Sequence, residues 1–201
     1  MRDDLGCHLL RVFYKVPQLY DSAYLGNLLK QVSGQVKEYL SHDSGDNVVF
    51  VGILTNGVYV ARRIKEQLQH HHDYHVKAPV MELSISLYRD DLQGQKKYLT
   101  VGTTAQTMDL SGKHVVFCDD VLSTGRTARA ALNAIFDYGR PDKVSFVVLF
   151  DRENRQVPIQ SNIVAERLAV SHDLRVNVGF LEVVGEDNVM LGPMESGALG
   201  G

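Results

Sequence analysis

The stretch Val115 to Thr127, VVFCDDVLSTGRT, constrains this chain more than any other. An apolar run, Val115-Val116-Phe117-Cys118, stops at two carboxylates, Asp119 and Asp120, and a few residues later Thr124-Gly125-Arg126-Thr127 opens a helical pattern. A short apolar run rich in β-branched residues reads as a strand buried on both faces, as in the parallel sheet of an α/β fold. Ligands of such sheets lie beyond the carboxyl ends of the strands, where Asp119 and Asp120 project. Two like charges there suit a ligand that offers hydroxyl donors or a divalent cation. Gly125 lets the backbone approach a ligand closely, Thr124 and Thr127 offer hydroxyls, and the helix N-terminus that follows favours an anion. Hydroxyls at one end and a phosphate at the other describe a ribose 5-phosphate. The plainer reading of the same residues is a strand, a polar turn and a helix capped by Thr124, with solvated aspartates.

The rest of the chain repeats the unit. Leu25, Leu28, Leu29, Val32, Val36 and Leu40 recur at three- and four-residue steps, so 18–40 reads as an amphipathic helix. Val48 to Leu54 is a second apolar strand, followed by the tight turn Thr55-Asn56-Gly57 and a helix over 58–69. Val80 to Leu87 alternates as a strand, and the polar stretch after it, 88–112, is longer than an ordinary connection. Ala128 to Tyr138 is a helix closed by Gly139-Arg140-Pro141, and Val144 to Phe150 is another apolar strand. Residues 151–190 then read as β-rich, and 191–201 as a small, Gly-rich disordered tail. His70, His71, His72 and His75 fall at a helix end without a metal-ligand spacing, which suits a solvated C-terminus better than an ion site.

Size and charge set the outer bounds. At 201 residues, one domain spanning 1–201 is the expectation. A net charge of −3 gives no general attraction to nucleic acid. Only Cys7 and Cys118 are present, which argues for a reducing compartment and a cytoplasmic location. No long apolar run suggests a membrane, and neither a Walker A string nor a G-x-G-x-x-G is found.

The central string resembles the phosphoribosyl-pyrophosphate (PRPP) signature of type I phosphoribosyltransferases. Arg126 to Pro141, RTARAALNAIFDYGRP, Val147 to Ile159, VVLFDRENRQVPI, and LYRDDL at 87–92 are similar to the PyrR family, uracil phosphoribosyltransferases and pyrimidine-operon attenuators. The resemblance spans about Tyr24 to Val184. It implies a mostly parallel sheet flanked by helices, with 88–112 as a flexible lid and 151–190 as a small hood. The implied activity is pentosyl transfer from PRPP to uracil, giving UMP and pyrophosphate, with Mg²⁺ as cofactor. Asp119 and Asp120 would meet the ribose hydroxyls and, directly or through water and PRPP, the metal. Val121, Leu122, Ser123, Thr124, Gly125, Arg126 and Thr127 would cradle the 5-phosphate, and Thr55, Asn56 and Gly57 the pyrophosphate. Arg89 would close over it with help from Lys96 and Lys97, while Arg152 and Val164 would read the base.

The chain departs from the family pattern at several positions. Leu54 and Asn56 stand where a basic residue is common, Ser123 where tyrosine is frequent, and Ala165-Glu166-Arg167 where glycine and lysine are usual. The Thr-Arg and His expected in RNA-binding members are not evident around Lys30 to Gly34, so messenger binding is disfavoured. A homodimer or larger assembly is implied, with no DNA or membrane partner. The alternative function is a catalytically weak UMP- or PRPP-sensing attenuation regulator that acts through RNA or a protein partner.

Overall fold

The computed structural model describes residues 17–85 and 108–193. Arg89, Lys96, Lys97, Cys7 and most of the expected lid lie outside the described residues. The elements run in the order β1 (Gln18–Tyr20), α1 (Ser22–Tyr39), β2 (Val48–Ile53), α2 (Asn56–His71), β3 (Met81–Leu83) and β4 (His114–Leu122). They continue as α3 (Arg126–Phe136), β5 (Lys143–Asp151), β6 (Ile163–Arg167), β7 (Leu174–Gly179), α4 (Leu181–Val184) and β8 (Asn188–Pro193).

Five strands form a parallel sheet in the order β3-β2-β4-β5-β6. Successive side chains of a strand leave opposite faces, so a strand apolar at every position must be covered twice. Val48 and Phe50 of β2 and Val116 and Cys118 of β4 join the α1 and α2 side of the core. Val49, Val51, Val115 and Phe117 join the α3 side, where Phe117 stacks on Phe146 at 4.2 Å. On α1 the buried stripe of Leu25, Leu28, Leu29, Val32 and Val36 matches the helical period. Each such side chain contributes roughly 1.5–3 kcal/mol by leaving water.

The helix expected over 18–40 begins only at Ser22. Asp21 is extended and its carboxylate accepts from the Tyr24 amide at 2.9 Å, which caps the helix there. The three residues before the cap pair antiparallel with β8 instead. The β-rich region 151–190 also divides. β6 joins the parallel sheet beside β5, with Val148 opposite Val164, whereas β7 and β8 pair antiparallel and take up β1 as a second, three-stranded sheet. The hood is therefore built from both ends of the described chain. The tail boundary at 191 moves too, because Leu191, Gly192 and Pro193 pair with Val176, Arg175 and Leu174 in β8.

β4 is the strand that positions the site. Its pairing with β2 stops at Gly52 opposite Cys118, but β5 accompanies it as far as Leu122 opposite Asp151. The aspartates therefore lie within the strand, on the part that β2 leaves unpaired, and not beyond its end. β2 leads through α2 to one side of the sheet and β4 through α3 to the other. The gap between their carboxyl ends is the topological switch point, where open α/β sheets hold ligands.

Candidate functional site at the switch point

The loop Thr55-Asn56-Gly57 fills the gap that β2 leaves. The Leu54–Thr55 peptide is cis, Leu54 is 41% exposed, and the Leu54 amide donates to Leu83 O at 2.9 Å. Gly57 presses against β4 so closely that a Cβ there would stand 2.3 Å from Cys118 O. Only glycine permits that approach, and it brings the first turn of α2 alongside the aspartates.

Asp119 is buried, and one of its oxygens accepts from the Asp120 amide at 3.0 Å. Strand alternation places it in one row with Val148 and Val164, on the α3 side. Asp120 faces α2. Its Oδ1 accepts from the Val121 amide at 2.9 Å and its Oδ2 from Asn56 Nδ2 at 2.7 Å. The same nitrogen donates to Val178 O in β7 at 3.0 Å. Asn56 thus turns its side chain onto Asp120 and the hood. Beneath the aspartates Cys118 is fully buried, which pushes its thiol far above the ordinary range and leaves it inert.

After β4 the chain turns through Ser123, Thr124 and Gly125 into α3. Gly125 takes the left-handed conformation at φ +87° as the N-cap. No side chain caps the helix from that residue, but Thr124 Oγ1 accepts from the Arg126 amide at 3.3 Å. The early amides of α3 have no partners within the helix, so Thr127 and its neighbours offer donors to an anion. The turn is held from behind. Thr124 O accepts from the amides of Gln156 and Val157 at 2.9 and 3.0 Å. Arg126 Nε donates to Gln156 Oε1 at 3.0 Å.

Arg155 was not singled out by the sequence, yet it braces this turn. Its guanidinium donates to Ser123 O at 2.6 Å, Ile159 O at 2.8 Å and the buried carboxylate of Asp151 at 2.5 Å. Arg152 is also buried. Its amide donates to Leu122 O at 2.9 Å and its Nη2 to Ser171 O at 3.1 Å. Burial lowers its pKa, and its Nε has no partner among the described residues. Val164 packs on the α3 side of the core, two strands from Asp119, so the structure does not bring it beside the aspartates.

Two further clusters fasten the hood and explain a departure in the sequence. Tyr20 OH donates to Glu166 Oε1 at 2.5 Å and Tyr24 OH to Oε2 at 2.8 Å, with the two rings stacked at 3.9 Å. Burial raises the Tyr20 pKa, and the Glu166 carboxylate raises both phenols. Glu166 is thus committed to anchoring β1 and α1 against β6. Arg63 of α2 lies over the Phe180 ring and donates to Glu182 at 2.6 Å and Asp187 at 2.7 Å. That guanidinium holds both carboxyls below their usual range.

Among the described residues no group of three His, Cys, Asp or Glu could hold a metal ion by itself. A single carboxylate such as Asp120 suits Mg²⁺ nonetheless, because that ion takes one or two protein carboxylates and completes its shell with phosphate and water. No described helix is long and apolar enough to cross a membrane.

Residues 21–175 match the family described as the phosphoribosyl transferase domain, and the fold is that of this class. A hypoxanthine phosphoribosyltransferase of Trypanosoma cruzi complexed with IMP superposes at a TM-score of 0.67 and 20% identity, covering 91% of this chain and 94% of that one. One from Staphylococcus aureus gives 0.57 at 19%, covering 76% and 77%. These likenesses concern the fold. The Bifunctional protein PyrR of Limosilactobacillus fermentum is 38% identical over 87% of this chain and 96% of its own length. That of Limosilactobacillus reuteri is 37% identical over 87% and 97%. The chain belongs to the PyrR family of type I phosphoribosyltransferases.

Proposed function

We propose that this protein transfers ribose 5-phosphate from PRPP to N1 of uracil, forming UMP and releasing pyrophosphate. The observation that carries this reading is the meeting, at one switch point, of the Asp119-Asp120 segment of β4, the Gly125 turn opening α3, and the Thr55–Gly57 loop opening α2. In the reaction the bond from the anomeric carbon to pyrophosphate breaks as the bond to N1 forms. Such a step needs positioning and electrostatics more than a protein nucleophile. Asp119 and Asp120 accept from the ribose hydroxyls, and the turn from Val121 to Thr127 surrounds the 5-phosphate. Backbone amides of Thr55 to Gly57 meet the pyrophosphate, with Arg89 closing over it, and Arg152 turns a buried donor toward a base carbonyl. Asp120 would hold Mg²⁺ directly or through water, with Asp119, which leaves the opposite face of β4, contributing through water and PRPP. The ion would supply charge neutralisation to the leaving pyrophosphate. By the same family membership the protein is proposed to be cytoplasmic and a homo-oligomer.

Calorimetric titration with UMP tests the site. Binding that falls at least tenfold in both Asp120→Asn and Thr127→Val supports it, and unchanged binding in both refutes it. A second reading, a UMP-sensing attenuation regulator with weak catalysis, is favoured by one feature: the Asn56 carboxamide is engaged with Asp120 and Val178. Binding of a cognate leader RNA with steep salt dependence would identify that regulator.

A further inference from the structure

Asn56 is the first residue of α2, Asp120 belongs to β4 of the parallel sheet, and Val178 belongs to β7 of the hood. One carboxamide nitrogen joins all three, with Nδ2 at 2.7 Å from Asp120 Oδ2 and 3.0 Å from Val178 O. A carboxamide has two N–H hydrogens, and both are used. Asp120 Oδ1 meanwhile takes the Val121 amide at 2.9 Å. Each carboxylate oxygen therefore has one protein donor and keeps a lone pair free for a hydroxyl or a cation. A cationic side chain at this place would pair with Asp120 and offset its charge. The neutral amide orients the carboxylate and leaves the charge in place.

We propose that Asn56 is a positioning residue that sets the Asp120 carboxylate for the ribose unit and ties that setting to β7, so that filling the ribose site and seating the hood are one event. The inference rests on the nucleotide site proposed above. It gives the Asn56 side chain a coupling role beside the pyrophosphate contact proposed for its backbone amide. The hood has a second attachment to α2, the Arg63 pairs with Glu182 and Asp187, which does not touch Asp120. Hood attachment and carboxylate orientation can therefore be separated experimentally.

The test uses the full chain with UMP as the probe, reading affinity by calorimetry and backbone protection in β7 by hydrogen exchange. In the unaltered protein, saturating UMP is expected to raise the protection of β7. In Asn56→Ala, affinity should fall about thirtyfold, the loss of two ordinary hydrogen bonds, and saturating UMP should no longer protect β7. Asn56→Asp keeps the shape and sets a like charge against Asp120, so it should bind UMP no better than the alanine variant. Asn56→Gln keeps the carboxamide and should recover part of the affinity. Arg63→Met should loosen the hood in the free protein but leaves the Asn56 link in place, so saturating UMP should still raise the protection of β7. An Asn56→Ala protein that only melts earlier, with affinity and UMP-dependent protection intact, would show a merely structural contact and overturn the proposal. Failure of the unaltered protein to bind UMP would instead remove the nucleotide site itself.

Discussion

Replacing Gly57 with alanine sets two effects against each other. Gly57 lies in the first turn of α2, where alanine gains about 1 kcal/mol in helix propensity. Its new Cβ, however, would stand 2.3 Å from Cys118 O, 3.1 Å from the Cys118 carbonyl carbon and 3.2 Å from the Asp119 Cα. These are backbone atoms of a strand paired on its other side with β5, so no side chain can swing away. Reaching even 3.0 Å requires the loop to back off by 0.7 Å. Overpacking against an unyielding wall costs about 3 kcal/mol, which leaves a net loss of about 2 kcal/mol after the helix gain. For a chain of this size that lowers Tm by about 4–8 °C. The same retreat weakens the 2.7 Å bond from Asn56 to Asp120 by carrying it beyond the usual N–H···O distance, so UMP affinity should fall by up to about fivefold, the worth of one ordinary hydrogen bond. Thermal melting with and without UMP reads both effects. A Gly57→Ala protein that melts at or above the parent temperature and binds UMP normally would refute the close-approach reasoning.

Other perturbations follow from the same geometry. Arg155→Ala leaves the buried Asp151 carboxylate without its partner and frees Ser123 O, so it should cost about 3 kcal/mol in denaturant unfolding. Lysine should not rescue it, because a point charge cannot serve three acceptors in different directions. Buried His114 has Nε2 2.8 Å from Ser145 Oγ and Nδ1 3.1 Å from Asp43, and burial lowers its pKa from 6.5 against the opposing pull of Asp43. The unfolded chain therefore takes up a proton near pH 6.5 while the folded one resists. Stability present above pH 6.5 should decline as pH falls through the folded pKa, and His114→Gln should flatten that slope in Tm measured from pH 7.5 to 5. Asp187→Ala should destabilise more than Glu182→Ala, because Asp187 is the less exposed partner of Arg63 and also accepts from the Leu181 amide at 2.7 Å. Equal losses in urea unfolding would contradict that ordering.

The sequence revealed most where a local pattern had a single physical cause. The alternating faces of β2 and β4 and the stripe on α1 follow from strand and helix periods, and the core strands and helices lie where those periods put them. The acidic edge and the glycine turn were readable because they share one short stretch. What stayed hidden depends on partners far along the chain. Gln18–Tyr20 looks like the start of α1 until β8, some 170 residues later, supplies an antiparallel neighbour. Ile163 to Arg167 is as β-like as β7, and only its pairing with β5 assigns it to the parallel sheet. Glu166 looked like a simple departure from the family, yet it receives hydroxyls from Tyr20 and Tyr24 across 146 and 142 residues. Asn56, Arg155 and Arg63 act through contacts of that kind or through backbone carbonyls, which no side-chain periodicity records.

The central claim is tested most directly by incubating the purified protein with PRPP, Mg²⁺ and, in separate reactions, uracil, hypoxanthine, guanine, adenine and orotate, and following nucleotide formation. UMP from uracil alone is the expected result. Nucleotide from a purine and none from uracil, or no product from any base while UMP still binds, would contradict the assignment of a uracil phosphoribosyltransferase.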